Sequence, residues 1–593
     1  MFHKKTLAIV LALAIFFTTT SFAQELEENW NDFLHYTKIG RLDLAKAYAQ
    51  AVIDSNPDPV ALLDLSLKNK QTSDILLTVS KNSENAELAD LGTQLSDIIE
   101  QGKYIKRAEP GVIAEEVRRL TSNSRGYVKA VKRLKNAGEY AIPFMIDALA
   151  DDNRKEELPN VVRALPEIGK DAIRPLAAAV QSQDVAVKAE VIKALGKIGY
   201  PQSLGYLKYV HENDSSQELK DLAAQSINQI DPSASSIPAA DLFYRLAENY
   251  YYHAESLKPQ EDADTANVWF WDADQMTLVK EVVSIDVFYE LMTMRCCEWA
   301  LKADSAFGRA IGLWIAAYFK AEDNALQMPV YFGDGHADAY TYATTAGPEY
   351  LHQALDRALR DKNTFIALGT IEALAANAGE SSLLYRLGIA QPLVEALSFD
   401  NKAVKYSAAI AIAEAGPKIN FPESKLIIDN LIMSLNSDPA DMQLANQWAR
   451  IDYQLRASMV LAKLAQTRNK VVDLTVAQGA LENVAKSDRP EIKILACQTL
   501  AYFKSPSAQS AIAAVALDET EDPKLRIVAF NSLAVAAKIN TSLLDDTTID
   551  VIYKLVSAKD IDPELRAAAA SAYGALNLPS EKVKTLILDQ AKS

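Results

Sequence analysis

Asp334, His336 and Asp338 alternate within VYFGDGHADAYTYATTAGPEY, residues 330–350. On an extended backbone alternate side chains share one side, so two carboxylates and an imidazole could face a divalent metal. The pattern goes no further. No second His or Cys lies near, no His-Glu-x-x-His spacing occurs, and no glutamate stands where a calcium loop needs one. The chain also lacks a Gly-x-Ser-x-Gly elbow, a paired Cys and His, and a glycine-rich phosphate loop. Asp334, His336 and Asp338 therefore stand as candidate metal ligands or, with Glu349, as candidate acid/base groups. A structural reading covers the same residues. Gly333 and Gly335 permit a tight turn, Asp338 caps the segment after it, and Pro348 restarts a helix. The stretch reads as a joint, with no catalytic residue assigned and no cofactor expected.

Two binding candidates are compositional. Residues 241–345 hold 19 of the 47 aromatic residues, including Trp269, Trp271, Trp299 and Trp314. NVWFWDADQMTLVKEVV, residues 267–283, alternates around Asp-Ala-Asp as a β-hairpin would. Trp299 and Trp314 follow helical periodicity and read as core. Trp269 and Trp271 share one face of an extended segment, and Tyr250, Tyr251 and Tyr252 are too many neighbours for one buried helix face. Those five are candidates for an aromatic surface that binds a glycan or a peptide. The second candidate is a cationic segment. Residues 103–135 carry ten Lys or Arg and three Glu, while the chain as a whole has a net charge of −17. On a helix over 125–135, Arg125, Lys129, Lys132 and Arg133 fall on one side, and Val128, Val131 and Leu134 on the other. This face is solvated, or it docks an acidic partner protein, an anionic envelope surface or an acidic repeat of the same chain.

The elements that must position these residues are helices in series. Glycine and proline are spaced out, and between them apolar residues recur at helical intervals. AIPFMIDALADD begins at Ala141, AIRPLAAAVQSQD begins 31 residues later at Ala172, and SLGYLKYVHEND at Ser203 after another 31. AQPLVEALSFD at Ala390 has the same shape. After such helices comes an aspartate, then an aliphatic and a basic residue: Asp184/Val187/Lys188, Asp400/Val404/Lys405, Asp488/Ile492/Lys493, Asp522/Leu525/Arg526 and Asp562/Leu565/Arg566. Aspartate accepts from the free N–H groups of a helix's first turn, and proline costs nothing just after it. The basic residue lies one turn in, within reach of an aspartate in its own or a neighbouring repeat.

This grammar resembles HEAT repeats of the armadillo-type superfamily over residues 111–232 and 348–580. The resemblance implies stacked helix pairs that hold partner proteins. FLHYTKIGRLDLAKAYAQAVIDSNPDP (33–59) and CCEWALKADSAFGRAIGLWIAAYFKAED (296–323) are similar to tetratricopeptide-type helix pairs, although Ser305 stands where that family has its turn proline. The expected fold is all-α, an α-solenoid of HEAT/armadillo-like helical hairpins with one small β-hairpin in a central insert. The expected divisions are 24–110, tetratricopeptide-like; 111–232, HEAT repeats; 233–347, an aromatic-rich, tetratricopeptide-like centre; and 348–593, HEAT/armadillo-type repeats.

Residues 1–23 read as a secretory signal peptide. His3, Lys4 and Lys5 precede an apolar run from Leu7 to Phe17, and Ser21 and Ala23 offer small side chains for cleavage after Ala23. Cleavage leaves a net charge of −19, which repels a phosphate backbone and argues against nucleic acid as a partner. No later apolar run reaches the roughly 18 residues that a membrane span needs. Three cysteines, Cys296, Cys297 and Cys497, are too few for a disulfide-built fold and read as small buried hydrophobes. The function this supports is a periplasmic or secreted, non-enzymatic scaffold or adaptor that binds other proteins, similar to exported bacterial HEAT-repeat proteins. The alternative is an exported all-α enzyme or binding protein for glycans that uses the aromatic centre. A resemblance to HEAT-like proteins associated with pigment-attaching lyases lacks the reactive residues.

Overall fold

The structure, a computed structural model, describes residues 24–588 except 70, 82–84, 260–263, 325–327, 334, 378, 438–450, 559, 579, 580, 582, 585 and 586. Residues 1–23, expected to be a signal peptide, and Asp334 lie outside the described residues. Helices dominate, and the one sheet among the described residues has two strands, β1 (Thr265–Asp272) and β2 (Thr277–Ser284). The fold is all-α, an α-solenoid type of stacked helical hairpins with a small β-hairpin where strand alternation predicts one. Two compact units form, residues 1–237 with 269–280, and residues 238–268 with 281–593.

In the first unit, helices 24–38, Leu42–Asp54, Pro59–Lys68 and Thr72–Ser80 pack with the long Ala86–Lys106 helix around Trp30, Phe33, Leu62, Leu88 and Leu95. The 31-residue period is then visible as first helices at Ala141–Ala150, Ile173–Ala179 and Leu204–Asn213. Second helices Val185–Ile198 and Gln217–Ile230 lie against each other. Gly196 makes this possible, because a Cβ there would stand 2.6 Å from Ser226 Oγ, whose hydroxyl donates to Ile192 O at 3.1 Å. Lys188 reaches forward to Asp214 at 3.0 Å, so the expected basic residue ties one repeat to the next.

In the second unit, Ala239–Tyr251, Ile285–Ala303, Arg309–Asn324, Pro348–Arg360 and Thr364–Asn377 pack in succession. From there every second helix stacks on its counterpart: Lys402–Ala415, Tyr453–Gln466, Pro490–Leu500, Pro523–Asn540 and Pro563–Ala575. Lys493 pairs with Glu521 ahead of it, and Arg526 Nε donates to Ala516 O at 3.0 Å.

Asp184, Asp522 and Asp562 cap their helices as expected. Asp400 and Asp488 do not. Asn401, one residue later, accepts from Ala403 and Val404, and Arg489 occupies the cap position ahead of Pro490 without a side-chain cap bond. The described residues of 330–350 also hold more helix than a joint needs. Val330–Gly333 and Ala339–Ala346 are helical, the second packs against Arg309–Asn324 and Thr364–Asn377, and the unit boundaries fall elsewhere, at 237/238, 268/269 and 280/281.

Candidate functional site

In the first unit four helices leave a cavity of about 300 Å³. Local chemistry sets each wall. Ala86–Lys106 starts on Asn85, whose side chain accepts from Leu88 N, and its last turn carries Lys103 and Lys106, which offset the negative end of the helix dipole. Gly102 brings that end against Pro59–Lys68, since a Cβ would stand 2.2 Å from Pro59 O. Pro110 opens the next helix, Pro110–Arg119, at the position where a missing N–H costs nothing. Ser124–Ala137 is capped by Asn123, which accepts from Gly126 N at 3.0 Å, and is ended by Gly138 at φ +59°. The floor is apolar, built from Leu63, Leu67, Val112, Ile113, Leu134 and Ala137. The rim is cationic, from Lys103, Lys106, Arg107 and Arg133.

One acid sits among them. Glu116 is 3 % exposed and lines the cavity. Its Oε1 accepts from Arg119 at 2.7 Å and also from Arg133, while its Oε2 is buried without a hydrogen-bond partner among the described residues. Two guanidiniums converge on one oxygen of this carboxylate. The other rim cations rest on surface partners: Lys106 on Asp64, Lys103 on Glu100, and Arg107 over the Tyr104 ring at 3.4 Å. Exposed pairs of this kind are weak and exchange readily.

The sequence candidates divide. Of the basic set, Arg133 lines the cavity, and Arg125, Lys129 and Lys132 are exposed on the same helix. Val128, expected on the apolar side, is 65 % exposed. Leu134 is buried as expected, and the buried stripe runs through it with Ala130 and Ala137. Burial removes Trp269, Tyr250 and Tyr251 from the expected aromatic surface. Trp269 Nε1 donates to Glu139 Oε2 at 2.8 Å, and Arg174 donates to the same oxygen at 2.9 Å. Tyr250 meets the edge of Phe288, and Tyr251 lies beneath Lys320 and Arg357. Trp271 is half-buried and Tyr252 exposed. Trp299 is buried as expected, while Trp314 donates Nε1–H to Glu298 at 3.1 Å.

His336 is exposed and stacks on Phe332, with ring centroids 4.5 Å apart. Asp338 spends its carboxylate on Thr341 N at 2.8 Å, the cap that the sequence suggests. Glu349 is exposed in the first turn of Pro348–Arg360. Among the described residues no three His, Cys, Asp or Glu side chains stand together in a way that could hold a metal ion.

Two buried polar clusters in the second unit escape a reading by sequence pattern. Arg357, 6 % exposed, donates to Glu248 at 2.8 Å, Tyr252 Oη at 2.8 Å and Tyr244 Oη at 3.2 Å. Glu290, fully buried, accepts from Lys320 at 3.1 Å and pairs with His253 at 2.8 Å. Burial pushes the Glu290 carboxyl up, but His253 and Lys320 outweigh it and hold it below its ordinary range. Both clusters join helices, Arg357 through groups already partnered and Glu290 through Oε1 alone, its Oε2 being buried without a hydrogen-bond partner among the described residues.

The comparisons agree with the helical grammar and stop there. A family described as HEAT repeats matches residues 142–228, the same span that carries the 31-residue period. No curated protein matches the chain. Solved structures that align with it include UNC-45 from Drosophila melanogaster, at 12 % identity over 96 % of this chain and 77 % of that one, with a TM-score of 0.31. An importin beta aligns at 12 % identity over 94 % and 71 %, with a TM-score of 0.29. She4p aligns at 10 % identity over 94 % and 85 %, with a TM-score of 0.28. Superpositions that loose carry no argument, so the fold rests on the family match and on the packing described above.

Proposed function

We propose that the chain is an exported, non-enzymatic scaffold or adaptor that binds other proteins through its helical-repeat surface. The observation that carries this reading is the first-unit groove, an apolar floor ringed by cations on a chain whose net charge is −17. Stacked helix pairs shelter their apolar faces on their neighbours and leave side chains along the stack free to hold a partner. Export rests on the basic and apolar pattern of residues 1–23. The glycan alternative loses support as Trp269, Tyr250 and Tyr251 go into the interior. An anionic envelope surface remains a second use for the exposed Arg125, Lys129 and Lys132.

Affinity capture with the full chain, processed at Ala23, from the envelope fraction of its own cells tests the proposal. Recovery of one protein in fixed stoichiometry supports it, and release of sugars from envelope glycans by the purified chain overturns it.

A further inference from the structure

The groove limits what the partner is. We infer that it takes a short acidic segment of a partner protein, which sets one or two large apolar side chains on the Leu67–Val112 floor and its carboxylates against Lys103, Lys106 and Arg133. This rests on the scaffold reading above.

Shape and charge select this occupant. A space of about 300 Å³ corresponds to roughly ten waters, the scale of one or two large side chains. Leu67 is 65 % and Val112 42 % exposed, so the floor still offers apolar surface to cover. A bilayer surface is flat on this scale and cannot fill a recess. A nucleic acid is repelled by a chain whose net charge is −17. Lys103 and Lys106 pair with surface carboxylates, and Arg133 shares Glu116 with Arg119. Asp64 and Glu100 are half-exposed or more, and Glu116 divides one oxygen between two arginines. At Lys103 and Lys106 an incoming carboxylate therefore displaces weak surface pairs, while the half-exposed Arg133 keeps Glu116 and offers its outer face. The acidic remainder of the chain repels such a segment elsewhere and leaves the groove as the place that attracts it.

The test is fluorescence anisotropy on the full processed chain with a short labelled peptide that carries Leu and Phe at helical spacing and glutamate at its remaining positions. A second peptide has lysine in place of each glutamate. The glutamate peptide is expected to bind saturably and roughly tenfold more tightly than the lysine peptide, and to weaken as salt is raised. Val112→Glu, which spoils the floor, and Lys106→Glu, which reverses the rim, are each expected to weaken it by roughly tenfold. Both positions are exposed enough to keep the fold, which circular dichroism checks. Absence of binding, equal binding of the two peptides, indifference to both substitutions, or preference for an oligonucleotide or an anionic vesicle overturns the inference. If the two variants capture an envelope protein as well as the unaltered chain does, the scaffold reading stands and the groove assignment falls. If no chain captures any protein, the scaffold reading itself falls.

Discussion

His352 lies fully buried on the Pro348–Arg360 helix and stacks on Tyr385 at 5.6 Å. Its Nε2 is 2.8 Å from Ser382 O, and because a carbonyl can only accept, Nε2 carries the proton of the neutral ring. Nδ1 has no hydrogen-bond partner among the described residues. Burial lowers the ring's affinity for a second proton below its ordinary 6.5, against a smaller pull from the Ser382 carbonyl. The unfolded chain therefore takes up that proton first as pH falls. The stabilisation is complete above pH 6.5 and is lost as pH drops from there toward the depressed folded value. The thermal midpoint should fall between pH 6.5 and about 5.5, and fall less in His352→Gln. Equal slopes would refute the assignment. Arg357 poses the converse case, a charge held by partners. Arg357→Ala strands Glu248 and two tyrosine hydroxyls and should cost about 3 kcal/mol in chemical denaturation, whereas a loss under about 0.5 kcal/mol would mean the cluster is idle. Neither residue is legible in the sequence. The partners of Arg357 lie on another helix more than a hundred positions back, and no periodicity connects them.

Helix starts behave differently, because a cap is decided within four residues. Asp184→Ala should cost about 1 kcal/mol, since its side chain accepts from both Ala186 and Val187 N–H. Asp400→Ala, at the same place in the repeat grammar, should cost under about 0.5 kcal/mol, because Asn401 makes those bonds instead. Matched thermal melts of the two variants separate these outcomes, and equal losses would contradict the cap assignment. Local chemistry also explains the hairpin. Asp272 accepts from Asp274 and Gln275 N–H to turn β1 into β2, and the two strands pair as a two-stranded sheet. Residues 330–350 misled because glycines and aromatics mark a break in pattern whether a loop or a short packed helix comes next. Asp338 restarts the helix there within five positions of Gly333. Tyr250 and Tyr251 misled for a geometric reason. Their helix, Ala239–Tyr251, is covered on more than one side, so adjacent tyrosines can both be buried.

At the scale of the whole chain, charge was readable and shape was not. The ten cations of residues 103–135 stand out from an acidic sequence by counting alone. Their meaning depends on Leu63, Leu67, Ile113 and Leu134, four ordinary apolar residues that become a floor only when Pro59–Lys68, Ala86–Lys106, Pro110–Arg119 and Ser124–Ala137 meet. No spacing in one helix encodes that meeting. Gly102 comes nearest, as a small residue that lets Ala86–Lys106 touch Pro59. The groove turns a cationic stretch into a recess with a preferred charge and polarity of partner, and the helical stack holds that recess in place. The most direct measurement is quantitative affinity capture from the envelope fraction, comparing the full chain with its Val112→Glu variant. The account predicts one protein retained at fixed stoichiometry by the unaltered chain and largely lost by the variant. Retention of no protein, or equal retention by the variant, would contradict it.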